Sequence, residues 1–171
     1  MLLQACLNGS RTNEEHPAIP RTSAELASEG RRALAAGAQV LHLHPYDDGG
    51  TETFAAGPCA ATLRAVRAAC PGVPISLSTS QAIEPHPQGL EAIARWTELP
   101  ELVTANQGEE GIVELCQLLI ARGGRGMPAH AIAEPLIMAR AFDRQVIDEF
   151  HLLARSTDSE INTALDKEKQ R

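Results

Sequence analysis

Four times between Leu2 and Gly124, a short run of strand-like composition is followed by an amphipathic stretch closed by glycine or proline. No other feature constrains the chain as strongly. Parallel strands can be joined only through a crossover of a dozen or more residues, usually a helix, so the alternation specifies α/β architecture. Strands are expected at Leu2 to Asn8, Gln39 to His44, Val73 to Thr79 and Glu101 to Asn106. The first helix should open on Thr22-Ser23-Ala24-Glu25, where a glutamate three residues after a threonine forms a capping box, and stop at Gly37. The other helices should run from about Pro58 to Ala69, Gln88 to Trp96 and Glu110 to Ala121.

Four units in this length suit a (β/α)8 barrel, whose eight units need roughly 250 residues. A doubly wound sheet is the second choice. Residues 1–124 are therefore expected to form the N-terminal half of such a barrel, and 125–171 a divergent helical segment. Within that segment Met127 to Ala133 suggests a weak fifth strand and Pro135 to Ala154 an amphipathic helix. A partial barrel of four to five units plus a C-terminal helix exposes two sheet edges, which pairing with a second copy of the chain would cover.

Side chains two apart on a strand share a face. Gln4, Cys6 and Asn8 therefore point one way, opposite Leu3, Ala5 and Leu7. Likewise His42 and His44 oppose Leu41 and Leu43, Ser76 and Ser78 oppose Ile75 and Leu77, and Thr104 and Asn106 oppose Val103 and Ala105. Each strand thus has an apolar face for covering helices and a polar face near its C-terminal end, where barrel enzymes place their chemistry. A half-exposed antiparallel sheet would also alternate, but a helix between every pair of strands argues against it.

Composition narrows the partners. Fifteen basic against 22 acidic side chains leave a net charge of −7, and no basic cluster marks a nucleic-acid surface. No segment approaches the roughly 20 apolar residues of a membrane-spanning helix, and the N-terminal apolar run is too short for a signal peptide. Cys6, Cys59, Cys70 and Cys116 share no CxxC spacing and sit in apolar patterns. They are expected as reduced thiols of a cytoplasmic protein, not a zinc cluster.

The chemistry-bearing motif is His42-Leu43-His44. Two imidazoles at i and i+2 of a strand point the same way and can share one metal ion; zinc suits neutral imidazole and, in catalytic sites, takes three protein ligands and keeps one open position. The Asp-Asp-Gly-Gly turn at 47–50 follows at once, so Asp47 and Asp48 either orient a metal-bound histidine or, more simply, make a solvated turn. The ordered set Asn8-Gly9-Ser10, His16-Pro17-Ala18-Ile19-Pro20, Val40-Leu41-His42-Leu43-His44, Ile75-Ser76-Leu77-Ser78-Thr79 and Leu102-Val103-Thr104-Ala105-Asn106 resembles the β-keto acid cleavage enzymes. That family includes the 3-keto-5-aminohexanoate cleavage enzymes of lysine fermentation.

The resemblance implies a TIM barrel holding one Zn2+. It also implies an exchange in which a β-keto acid and an acyl-CoA, typically acetyl-CoA, give acetoacetate and a new CoA ester. By resemblance His42 and His44 match the metal-binding pair, and Ser78, Thr104 and Asn106 match positions that hold the substrate's keto and carboxylate groups. The family also implies a carboxylate ligand from late in the barrel, in a Gly-x-Glu-Asp context, which this sequence lacks. The chain therefore reads as truncated after the fourth unit, with Glu134 or His130 as makeshift donors. Two other outcomes are open: a non-catalytic barrel fragment, or a metal-dependent hydrolase. The hydrolase is disfavoured because its His-x-His pair would sit on the first strand rather than the second.

Overall fold

The computed structural model describes residues 3–11, 13–104, 106 and 109–123. The expected fifth strand, the long helix at Pro135 to Ala154, and Glu134 and His130 lie outside the described residues. In chain order the elements are β1 (Gln4–Cys6), α1 (Ser23–Ala35), β2 (Val40–Leu43), α2 (Ala56–Ala69), β3 (Ile75–Leu77), α3 (Gln88–Ala94), β4 (Leu102–Val103) and α4 (Ile112–Gly123). The four strands form one parallel sheet in the order β1-β2-β3-β4. Among the described residues that order never reverses, whereas a doubly wound sheet reverses at its switch point.

The strands end one to three residues before the sequence pattern ends, so Asn8, His44, Ser78 and Thr104 stand just beyond them. Backbone bonds still carry the pairing to these positions. Leu7 N donates to His42 O at 3.0 Å, Ser78 N to Leu43 O at 3.1 Å and Thr104 N to Leu77 O at 3.2 Å.

The expected capping box is present: Thr22 Oγ1 accepts from Glu25 N at 3.2 Å, and Glu25 Oε2 accepts from Thr22 N at 3.0 Å. The backbone N–H groups of Thr22 and then Arg21, both donating to that carboxylate, hold the Glu25 carboxyl below its ordinary range. At the other end Gly37, with φ at +104°, lets its own N–H reach Leu34 O and that of Ala38 reach Ala33 O, the Schellman stop. A side chain at Gly37 would strain that left-handed backbone.

One core joins all four helices to one face of the sheet. Leu26 of α1, Leu63 and Val66 of α2, Ile93 of α3 and Leu115 and Leu119 of α4 pack with Leu41, Leu43, Ile75, Leu77 and Val103. Burying a leucine or isoleucine this fully contributes about 1.5–3 kcal/mol. Trp96 closes the core, donating its indole N–H to Phe54 O at 2.7 Å with its ring edge-on to Phe54. With the apolar face spoken for, register lines up the opposite face in rows: Cys6 beside His42, His42 beside Ser76, and Ser76 beside Leu102.

Candidate metal centre

β2 is buried along its whole length, which carries His42 into the interior and leaves His44 at its rim. The two rings meet edge-on, centroids 5.0 Å apart, with Nε2 facing Nε2 at 3.1 Å. In a tetrahedral site with Zn–N near 2.0–2.1 Å, two imidazole nitrogens lie about 3.3 Å apart, so the spacing fits a shared ion. Each ring is tethered through its other nitrogen: His42 Nδ1 meets Ser76 Oγ at 3.0 Å, and His44 Nδ1 makes a short contact with Glu52 Oε1. Burial, with a smaller push from His44, lowers the His42 pKa from 6.5 to about 3, so this imidazole is neutral at physiological pH, as a metal ligand must be.

The backbone under His44 is held from β1's end. Asn8, buried, donates its Nδ2 to His44 O at 2.8 Å and accepts from His44 N at 3.0 Å. Glu52 arrives through the loop after β2. Asp47 closes that loop, its N bonding Thr51 O at 2.8 Å and its Oδ1 accepting from Thr51 N at 2.9 Å, and Tyr46 pairs with Glu52 beyond it. Tyr46 donates its hydroxyl to Gly9 O at 2.8 Å, beneath the Arg21 guanidinium at 4.5 Å, and Arg21 also donates to Gly50 O at 2.9 Å. Asp47 is thus a turn residue. The carboxylate on the histidine is Glu52, which no local pattern in the sequence singled out.

Ser78 and Thr104 stand beyond the ends of β3 and β4, near the level of His44. Ser78 is buried; Thr104 Oγ1 accepts from Thr79 N at 3.2 Å, and Thr79 Oγ1 donates back to Thr104 O. Asn106 turns to Glu109, whose Oε1 accepts from Asn106 Nδ2 at 2.9 Å, Ser80 Oγ at 3.0 Å and Gln81 N at 3.1 Å. Among the described residues, hydrogen bonds join the histidine side chains to Ser76 and Glu52, but not to Ser78, Thr104 or Asn106. A cleft beside this second group is lined by Thr79, Glu84, His86 and Glu109 among others and includes neither His42 nor His44. Arg11 is exposed and pairs with Glu15 at 3.6 Å. No cluster of three histidine, cysteine or acidic side chains able to hold a metal occurs among the described residues.

A family model described as beta-keto acid cleavage enzyme matches residues 1–162. The chain belongs to that family. The match runs past Gly124, into the segment that the sequence set apart. A 3-keto-5-aminohexanoate cleavage enzyme of Fusobacterium nucleatum is 36% identical over 112 residues, covering 63% of this chain and 39% of that protein. One from Acetoanaerobium sticklandii is 34% identical over 84 residues, covering 48% and 31%. The chain therefore spans well under half the length of these curated relatives. Among the described residues, no helix is long and apolar enough to cross a membrane.

Proposed function

We propose that this β-keto acid cleavage family member contributes the first four units of a (β/α)8 barrel and binds Zn2+ through His42 and His44. Its reaction is acyl exchange between a β-keto acid and acetyl-CoA. The supporting observation is the pair of facing Nε2 atoms, 3.1 Å apart, with both Nδ1 atoms already engaged. Bound zinc would supply Lewis-acid polarisation of the keto carbonyl.

The residues proposed to hold substrate have the hydrogen-bonding capacity the task needs. Thr104 Oγ1 accepts from Thr79 N, which leaves its own proton for a substrate oxygen. Asn106 spends one amide N–H on Glu109 and has a second to give. With Ser78 they would hold the keto and carboxylate groups so that the α-carbon faces the thioester. In the exchange the bond between the α-carbon and the keto carbon breaks. The α-carbon takes the acetyl group to give acetoacetate, and the released acyl group leaves as its CoA ester.

The test is zinc content after loading and desalting, beside acetoacetate formation from β-keto acids and acetyl-CoA. About one zinc per chain, lost in His42→Ala, with acetoacetate produced, is expected. Equal zinc in the variant removes the metal site from this pair. Zinc without acetoacetate leaves a metal-binding barrel portion that does not catalyse on its own.

A further inference from the structure

We propose that Glu52 and Ser76 are positioning residues that set the tautomers of His44 and His42, so that both Nε2 atoms can turn their lone pairs to one metal ion; this rests on the zinc reading above. The two partners differ in a way that the chemistry requires. A carboxylate only accepts, so in the neutral ring the contact of Glu52 with His44 puts the proton on Nδ1 and the lone pair on Nε2. His42 Nε2 faces that lone pair at 3.1 Å and, without a metal, must present a proton to it. His42 Nδ1 then accepts from the Ser76 hydroxyl at 3.0 Å. One chain of donors results: Ser76 to His42, His42 to His44, His44 to Glu52.

A metal reverses only half of this chain. His44 is already committed, but His42 must free Nε2, so its proton passes through solvent to Nδ1 and Ser76 becomes the acceptor. The imidazole is neutral before and after, and no proton is lost from the ring. A hydroxyl can serve both states because its O–H rotates between donating and accepting; a second carboxylate could not. Ser76 is 1% exposed and His42 7%, which limits water as a replacement partner. Glu52 meets the ring of His44 from the Nδ1 side, away from Nε2, so it orients the ligand without being one. Strand register delivers Ser76 to His42, and the Tyr46–Glu52 bridge delivers Glu52 to His44.

The experiment follows imidazole nitrogens by long-range 1H–15N correlation in labelled protein, with and without one equivalent of zinc, and measures zinc affinity by chelator competition. Wild type should show Nδ1–H on His44 and Nε2–H on His42 without metal, and Nδ1–H on both with it. Glu52→Gln can present an N–H to the ring, so it should mix the His44 tautomers and weaken zinc about 10–100-fold. Ser76→Ala should keep the metal-free His42 tautomer and weaken zinc by a similar factor, because the new Nδ1–H lacks an acceptor. An Nε2–H on His44 in metal-free wild type overturns the proposal. So does zinc affinity in both variants within about threefold of wild type, well under the usual effect of an outer partner. Loss of zinc in Glu52→Gln as complete as in His42→Ala would make Glu52 a ligand, again overturning it. If wild type itself retains no zinc, the zinc reading fails, while the metal-free tautomers still decide what Glu52 does.

Discussion

Removing the Asn8 side chain should loosen the floor of the site. Its amide substitutes for a stretch of sheet where β1 has already ended, satisfying both the N–H and the C=O of His44, at 3.0 and 2.8 Å. Asn8 is 8% exposed, so in Asn8→Ala water replaces these bonds only in part. Each lost bond is worth about 1 kcal/mol net, and a buried group left unpaired costs about 1–3 kcal/mol. A total near 2 kcal/mol follows for two partly shielded groups, or a fall of about 4–8 °C in melting temperature for a chain of this size. Asn8→Asp is the sharper probe: it keeps the acceptor for His44 N but sets a carboxylate oxygen against His44 O. It should be no more stable than Asn8→Ala despite being closer in shape. The chain's single tryptophan, Trp96, is buried against Phe54, so its emission reports the unfolding directly. A melting temperature for Asn8→Ala within about 1 °C of wild type would refute the bridging role, since one lost bond alone predicts more.

Two further outcomes follow. In the metal-free protein the His42 pKa falls from 6.5 to about 3 on folding, so the unfolded chain takes up the proton more readily. Its contribution to stability is complete above about pH 6.5 and is lost as pH falls toward 3, at a limiting slope of about 1.4 kcal/mol per unit. Urea titrations across that window should show the slope in wild type and a shallower one in His42→Asn; equal slopes would assign the acid sensitivity elsewhere. Gly89→Ala should destabilise the cleft by about 1–3 kcal/mol through overpacking. The added carbon would sit 2.5 Å from Glu84 O and 3.3 Å from the Phe54 ring, and a backbone oxygen cannot swing aside. An unchanged denaturant midpoint would argue against that crowding.

Most of the frame was legible along the chain. The Thr22–Glu25 box, the Gly37 stop and the four strand–helix units appear where the pattern predicted them, with boundaries shifted by one to three residues. Those shifts matter at the site, because Asn8, His44, Ser78 and Thr104 then lie just past the strands, where side chains take over bonds from the ladder. The residue that orients His44 was not legible. Asp47 and Asp48 stood next to the motif, yet Asp47 closes the turn and Glu52 reaches the ring. The simpler turn reading of Asp47 holds, and nothing local marked Glu52, because a tight turn uses its own acidic residue locally and returns the chain a few positions later.

The sequence by itself determined periodicity. Alternation along each strand follows from backbone geometry, so His42 and His44 had to share a face, as did the polar residues on the neighbouring strands. Helix starts and stops were equally local, since caps are made within one turn. Tertiary structure alone decided who meets whom across that face. The pairing of His42 with Ser76, 34 residues away, depends on the register between β2 and β3. The bridge from Asn8 to His44 depends on where β1 stops against β2. A one-residue slip would send every one of these side chains to the apolar face, so packing of Leu41, Leu43, Ile75 and Leu77 against the helices is what selects the register and, with it, the site.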